Sequence, residues 1–129
     1  MNMTTAVSTV LGKYATFEGR ASRSEYWWFI LACFLLAIVV GIIEGAVLAP
    51  MLGFEAFDPE AGSPMSMIVS LALFLPTLAV AIRRLHDLDR SGWWYLIGFV
   101  PVIGFFVLIY WYVQPGTAGD NQFGPPAAS

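Results

Sequence analysis

Arg83-Arg84-Leu85-His86-Asp87-Leu88-Asp89-Arg90 packs three arginines, two aspartates and the chain's one histidine into a single short stretch. Such a set admits four chemistries. Arginine forks can grip phosphate or carboxylate bidentately. A carboxylate such as Asp87 can orient a neighbouring imidazole and tune it for proton transfer. His86-Asp87-x-Asp89 offers nitrogen and oxygen donors to a metal, yet one histidine without a usable thiol is thin for zinc. The fourth chemistry is plain ion pairing. Ser91 is the nearest nucleophile, and its place after the island fits a helix cap better. There is no glycine-rich phosphate loop, serine elbow or metalloprotease pattern. The residues therefore name no catalytic set, no metal site and no cofactor.

A second polar stretch carries opposite charges that could meet the first. Lys13 to Glu25 includes Glu18, Arg20, Arg23 and Glu25. The candidate polar or anion-binding cluster is Arg20, Arg23, Glu25, Arg83, Arg84, His86, Asp87, Asp89 and Arg90. One reading makes it a lattice in which Arg20 or Arg23 pairs with Asp87 or Asp89, and Glu25 with Arg83, Arg84 or Arg90. The other makes it a site for anionic lipid headgroups or a protein partner.

These residues must be held by elements that live in lipid. The chain has 129 residues, 58% of them hydrophobic and only 12% charged, with a mean hydropathy of +0.72. A soluble domain carries about twice that charged fraction. The net charge is −3, so nucleic acid is not a partner. Cys33 is the one cysteine, which excludes an intramolecular disulfide. The expected organisation is one membrane domain over residues 1–129, with 1–22 as a cytoplasmic N-terminal segment and 115–129 as an irregular tail.

The pattern predicts an all-α fold with three transmembrane helices, at about 24–48, 64–85 and 92–113. Ser22 and Glu25 stand three apart before the first apolar run, the capping-box arrangement. Tyr26, Trp27 and Trp28 lie where an interfacial aromatic belt belongs. Glu44 falls near the far end of that run, as a headgroup-facing carboxylate or a buried functional acid. Pro50 to Pro64 reads as a loop, with Ser63 capping the second helix and Pro64 at its first position. Pro76 should kink that helix and deprive the Ala72 carbonyl of its usual donor. In the third run Trp93, Trp94 and Tyr95 mark one end, and Tyr110, Trp111 and Tyr112 the other. Such a double belt suggests a full crossing. Gly98, Pro101 and Gly104 in its middle leave open a re-entrant hairpin.

Lysine and arginine counts set orientation. The N-terminal flank has Lys13, Arg20 and Arg23, the first loop none, the second Arg83, Arg84 and Arg90, and the tail none. This pattern predicts a cytoplasmic N-terminus and polar island, with the first loop and the C-terminus periplasmic. Gly41 and Gly45 form a Gly-x-x-x-Gly pair that permits close helix contact, hence a homo-oligomer or a membrane-protein partner.

Three stretches together carry a resemblance. They are Phe17-x-Gly19-Arg20-x-Ser22-Arg23-x-Glu25-Tyr26-Trp27, then Arg83-Arg84-Leu85-His86-Asp87 with Arg90-Ser91-Gly92-Trp93-Trp94, then Pro115-Gly116-Thr117-x-Gly119-x-Asn121-x-Phe123-Gly124-Pro125. From about Tyr14 to Pro125 the chain resembles the YhaH-like bacterial inner-membrane family, domain of unknown function 805. The resemblance implies a small bacterial inner-membrane protein and supplies no activity. The expected function is thus a non-enzymatic inner-membrane protein whose cytoplasmic cluster binds anionic headgroups or a partner. An oligomeric channel or transporter subunit, or a membrane enzyme, are the alternatives.

Overall fold

The computed structural model describes residues 2–127, so the outermost residues of the expected N-terminal segment and tail lie outside it. The helices are α1 (Met3–Gly12), α2 (Arg23–Ile43), α3 (Ala49–Met51), α4 (Pro64–Asp87) and α5 (Ile103–Val113). A π turn, Glu44–Leu48, joins α2 to α3 without a break. Short 3₁₀ segments cover Pro59–Ala61 and Gly92–Phe99. No strand occurs among the described residues, only an isolated bridge between Asn121 and Gly124. The α1 helix falls in a stretch too small and polar to predict one, and Asn2 caps it by accepting from the Thr5 N–H at 2.8 Å.

Two helices are long and apolar enough to cross a membrane, Arg23–Met51 and Pro64–Asp87. At 1.5 Å per residue, the 24 residues of α4 span about 36 Å, more than a hydrocarbon core of roughly 30 Å. Their apolar side chains face outward: Phe34 is 63% exposed and Leu71 71%. A core helix in water could not leave such residues uncovered, which makes lipid their solvent. Pro76 lies inside α4, which runs through it as one helix.

The chain divides into two compact units. One is built from the residues up to Ile30 and from Leu75 onward, the other from Leu31–Phe74. In the second unit Glu44 is buried, and it caps α4. Its Oε2 accepts from the N–H groups of Met65 (2.6 Å) and Ser66 (3.1 Å), and its Oε1 from the Ser66 hydroxyl (2.8 Å). A helix start leaves such N–H groups without intrahelical partners, and a carboxylate suits them in charge as well as geometry. Glu44 therefore does the work expected of Ser63, and it also lines a cleft of about 270 Å³ with Gly41, Phe57 and Ser66. Gly45 holds the ring of Phe57, whose N–H donates to the Gly45 carbonyl at 2.8 Å. That half of the Gly-x-x-x-Gly pair is filled by the chain itself. At Gly41 a side chain would meet open space.

In the first unit the third apolar run departs from a single continuous helix. The 3₁₀ segment ends at Phe99, the chain turns through Val100, Pro101 and Val102, and α5 starts at Ile103. Val102 has φ +64°. The two limbs lie side by side. Trp94 meets Trp111 edge-on with ring centroids 5.8 Å apart. Gly104 rests so close to the Ile97 carbonyl that no Cβ would fit, and Gly98 lies beside Leu108. The aromatic residues expected at opposite ends of a crossing thus sit together at the base of a hairpin. The reason is local: Pro101 and the small Gly98 and Gly104 break one helix and let two backbones approach. At the bend Phe99 (79% exposed), Val102 and Ile103 are uncovered.

Candidate functional site

Unit one gathers the polar residues. Each of the buried arginines is answered by a carboxylate. Arg20 Nε donates to Asp87 Oδ1 at 2.9 Å, Arg84 Nη1 to Asp87 Oδ2 at 2.6 Å, and Arg83 Nη1 to Glu25 Oε2 at 2.5 Å. Arg83 and Arg84 are fully buried and Glu25 nearly so. Burying a charge costs least when it has a partner and its remaining donors find acceptors.

The backbone of the tail supplies much of that satisfaction. Arg20 Nη1 donates to the carbonyls of Gly119 (2.7 Å) and Gly124 (3.2 Å), and its Nη2 to Thr117 O (2.6 Å). Arg84 donates to the carbonyls of Tyr112 and Gln114. The Thr117 N–H returns a bond to the Asp87 carbonyl at 2.7 Å, and Asn121 Nδ2 donates to the His86 carbonyl at 2.9 Å. Gly116 lies against the Asp87 carboxylate with no room for a Cβ. A guanidinium has five donors in a fixed fork, and a glycine-rich turn exposes the carbonyls it needs. Tail, island and N-terminal motif therefore meet within this unit. The tail thus packs against the island and does not stand apart from it. The hairpin brings the chain back to the residues it left.

His86 is buried, its ring stacked on Phe123 at 3.9 Å, with Nδ1 2.9 Å from the Gly19 carbonyl. Asp89 does not pair with an arginine; with φ +60°, it accepts from the Gln122 N–H at 3.2 Å. Arg90 lies over the Trp111 ring at 4.4 Å, a cation–π contact. Ser91 accepts from the Trp93 N–H at 3.3 Å and caps the hairpin's first limb. Ser22 accepts from the Glu25 N–H at 3.1 Å, as a capping box predicts, but the Glu25 carboxylate goes to Arg83 instead of reaching back. Trp27 donates to the Tyr112 carbonyl at 2.9 Å and Tyr26 packs on the Tyr112 ring, so both serve the interior. Trp28 and Trp93 stay exposed.

Arg23 stands apart. It is exposed, with one bond from Nη1 to the Val113 carbonyl at 3.1 Å. It borders a polar cleft of about 230 Å³ with Ser22, Ser24, Arg20, Thr117 and Asp87, whose carboxylate is already held by Arg20 and Arg84. No group of three or more histidine, cysteine or acidic residues with metal-binding geometry occurs among the described residues.

The outward apolar helices and the buried ion-pair cluster define an all-α integral membrane protein. The family model described as "Protein of unknown function (DUF805)" matches residues 14–125, and the chain belongs to that family. It is 42% identical to the inner membrane protein YhaH of Escherichia coli K12 over 116 residues, covering 90% of each chain. It is 44% identical to the inner membrane protein YhaI of the same strain, covering 90% of this chain and 89% of that one. The uncharacterized protein YiiR of that strain is 29% identical over 78% of this chain and 60% of its own length. No solved structure matches the chain.

Proposed function

We propose that this is a non-enzymatic protein of the bacterial inner membrane that binds anionic lipid headgroups through Arg23 at its cytoplasmic face. The observation that carries this reading is the contrast among the arginines. Arg20, Arg83 and Arg84 are buried and bound by carboxylates, whereas Arg23 is exposed beside a polar cleft. The buried set is a lattice, and the exposed member is the one able to meet a phosphate. Hydroxyls of Ser22 and Ser24 add donors in the same cleft. The names of YhaH and YhaI, at more than 40% identity, support the inner membrane as location.

The topology proposed with it has two crossings, α2 with its continuation and α4. Lysine and arginine flank both at the end that carries the island, which favours the cytoplasm for that end. The hairpin enters from the same face and returns, so both termini are cytoplasmic. Its uncovered Phe99, Val102 and Ile103 suit a tip seated among acyl chains.

The test is a thermal melt in neutral detergent with added phosphatidylglycerol or phosphatidylcholine. Anything that binds the folded form stabilises it in proportion to its occupancy. Wild type should gain from the anionic lipid alone. Arg23→Ala should lose that increment while its melting point without lipid changes little. Equal gains from both lipids in wild type would end the headgroup reading.

A further inference from the structure

A second concavity in unit one has a different chemistry. It is an open cleft of about 360 Å³ lined by Phe17, Ile82, His86, Ser91, Gly92 and Trp93. None of the six carries a fixed charge, so it does not suit a phosphate or a carboxylate. Two aromatic rings and an isoleucine supply apolar walls. His86 and Ser91 supply the polar points, the usual make-up of a small-molecule site.

The polar points have defined hydrogen-bonding roles. Gly19 O can only accept, so the His86 Nδ1 at 2.9 Å carries the proton. In the neutral ring Nε2 is then a bare acceptor. Phe123 stacks on the ring at 3.9 Å with planes 5° apart and fixes its orientation. Ser91 Oγ accepts from the Trp93 N–H at 3.3 Å, which leaves its own O–H to donate. Gly92 closes one wall, because a Cβ there would stand 2.7 Å from Ile82. One fixed acceptor and one donor thus flank an aromatic-walled space without charge. Trp93, 80% exposed at the edge of the apolar run, opens it toward the membrane interface.

We propose that this cavity binds the ring of an uncharged membrane amphiphile bearing hydroxyl or carbonyl oxygens, the headgroup chemistry of a quinol or quinone. His86 Nε2 accepts from a ring hydroxyl, and Ser91 donates to a ring oxygen. Phe17 and Trp93 enclose the ring, and its apolar tail runs into lipid. The site is separate from the Arg23 cleft.

The experiment is a titration of the full chain, in neutral detergent, with a decyl-substituted benzoquinone, read by tryptophan fluorescence. Quenching should saturate, and Trp93→Phe should remove much of its amplitude. His86→Asn keeps an N–H where Nδ1 stood and removes the Nε2 acceptor. It tests binding of the reduced, hydroquinone form, measured by competition with the quinone. Ser91→Ala tests the oxidised form directly. Each variant should weaken its form roughly three- to tenfold, the scale of one hydrogen bond. Arg23→Ala and added phosphatidylglycerol should leave both affinities unchanged. Quenching that grows linearly with quinone per micelle, or affinities indifferent to both variants with their melting points intact, would overturn the proposal. So would equal loss in Arg23→Ala, which would merge this site with the cleft.

Discussion

Arg20 and Asp87 stand 67 positions apart in the chain and 2.9 Å apart in space. That bond joins the N-terminal motif to the end of α4, and the rest of the Arg20 guanidinium reaches into the tail. Asp87 also holds Arg84. One carboxylate therefore ties two buried cations, and the tail carbonyls spread the remaining load. The pair formed by Glu25 and Arg83 is built differently. Among the described residues Glu25 is the one hydrogen-bond partner of the Arg83 guanidinium, whose Nε and Nη2 are buried without a bond.

That difference predicts unequal losses. Glu25→Ala strands a fully buried arginine and should cost about 3–5 kcal/mol, read as a large drop in detergent melting temperature. Replacing both partners, Glu25→Leu with Arg83→Met, removes the buried charges together and should recover most of the loss. If the double variant melts as low as the single, the pair is not the source of the effect.

The tail is the next test. Gly116 leaves no room for a Cβ beside the Asp87 carboxylate. Gly116→Ala must push either the tail or Asp87 aside, an overpacking cost of roughly 1–3 kcal/mol. Limited proteolysis should then cut between 115 and 125 faster than in wild type, while Ala118→Cys, a control at an exposed position, should not change the rate. An unchanged pattern would mean the tail is held elsewhere.

Topology can be read by cysteine labelling of intact cells, in a background with Cys33→Ala. The two-crossing arrangement predicts labelling from outside at Glu60→Cys and none at Ala118→Cys or Ser91→Cys. Outside labelling at Ala118→Cys would restore a full crossing by 93–113.

Much of this was legible in sequence. The two long helices follow from uninterrupted apolar runs, and the pairings Arg20–Asp87 and Glu25–Arg83 lie among those that charge alone suggests. The hairpin was visible only as an option, because aromatic belts look the same whether their ends are apart or together. Gly98, Pro101 and Gly104 were the signal that decided it. The tail reads only as irregular chain, since carbonyl acceptors carry no residue signature. The clue was arithmetic: three buried arginines need more acceptors than two carboxylates provide. The capping role of Glu44 is not legible, because a cap supplied from another helix leaves no local pattern, unlike Ser91 capping its own.

Gly45 offers the sharpest check on the second unit. In an apolar helix, Gly41 and Gly45 read as a face for a second copy, and on that reading a larger residue would weaken only the dimer. The structure instead seats Phe57 against Gly45, with φ +59° at Phe57 and its N–H on the Gly45 carbonyl. A β-carbon at 45 would enter that ring, and the neighbouring Glu44 holds the start of α4. Gly45→Ala should therefore lower the melting temperature of the protein itself, with a cost of about 1–3 kcal/mol. Phe57→Ala removes the obstacle and loses its own packing. Combined with Gly45→Ala, it should cost less than the two single losses added, because the clash is gone. Crosslinked dimer yield should follow neither variant. A Gly45→Ala protein with wild-type melting temperature and reduced dimer would return this glycine to an interface between copies.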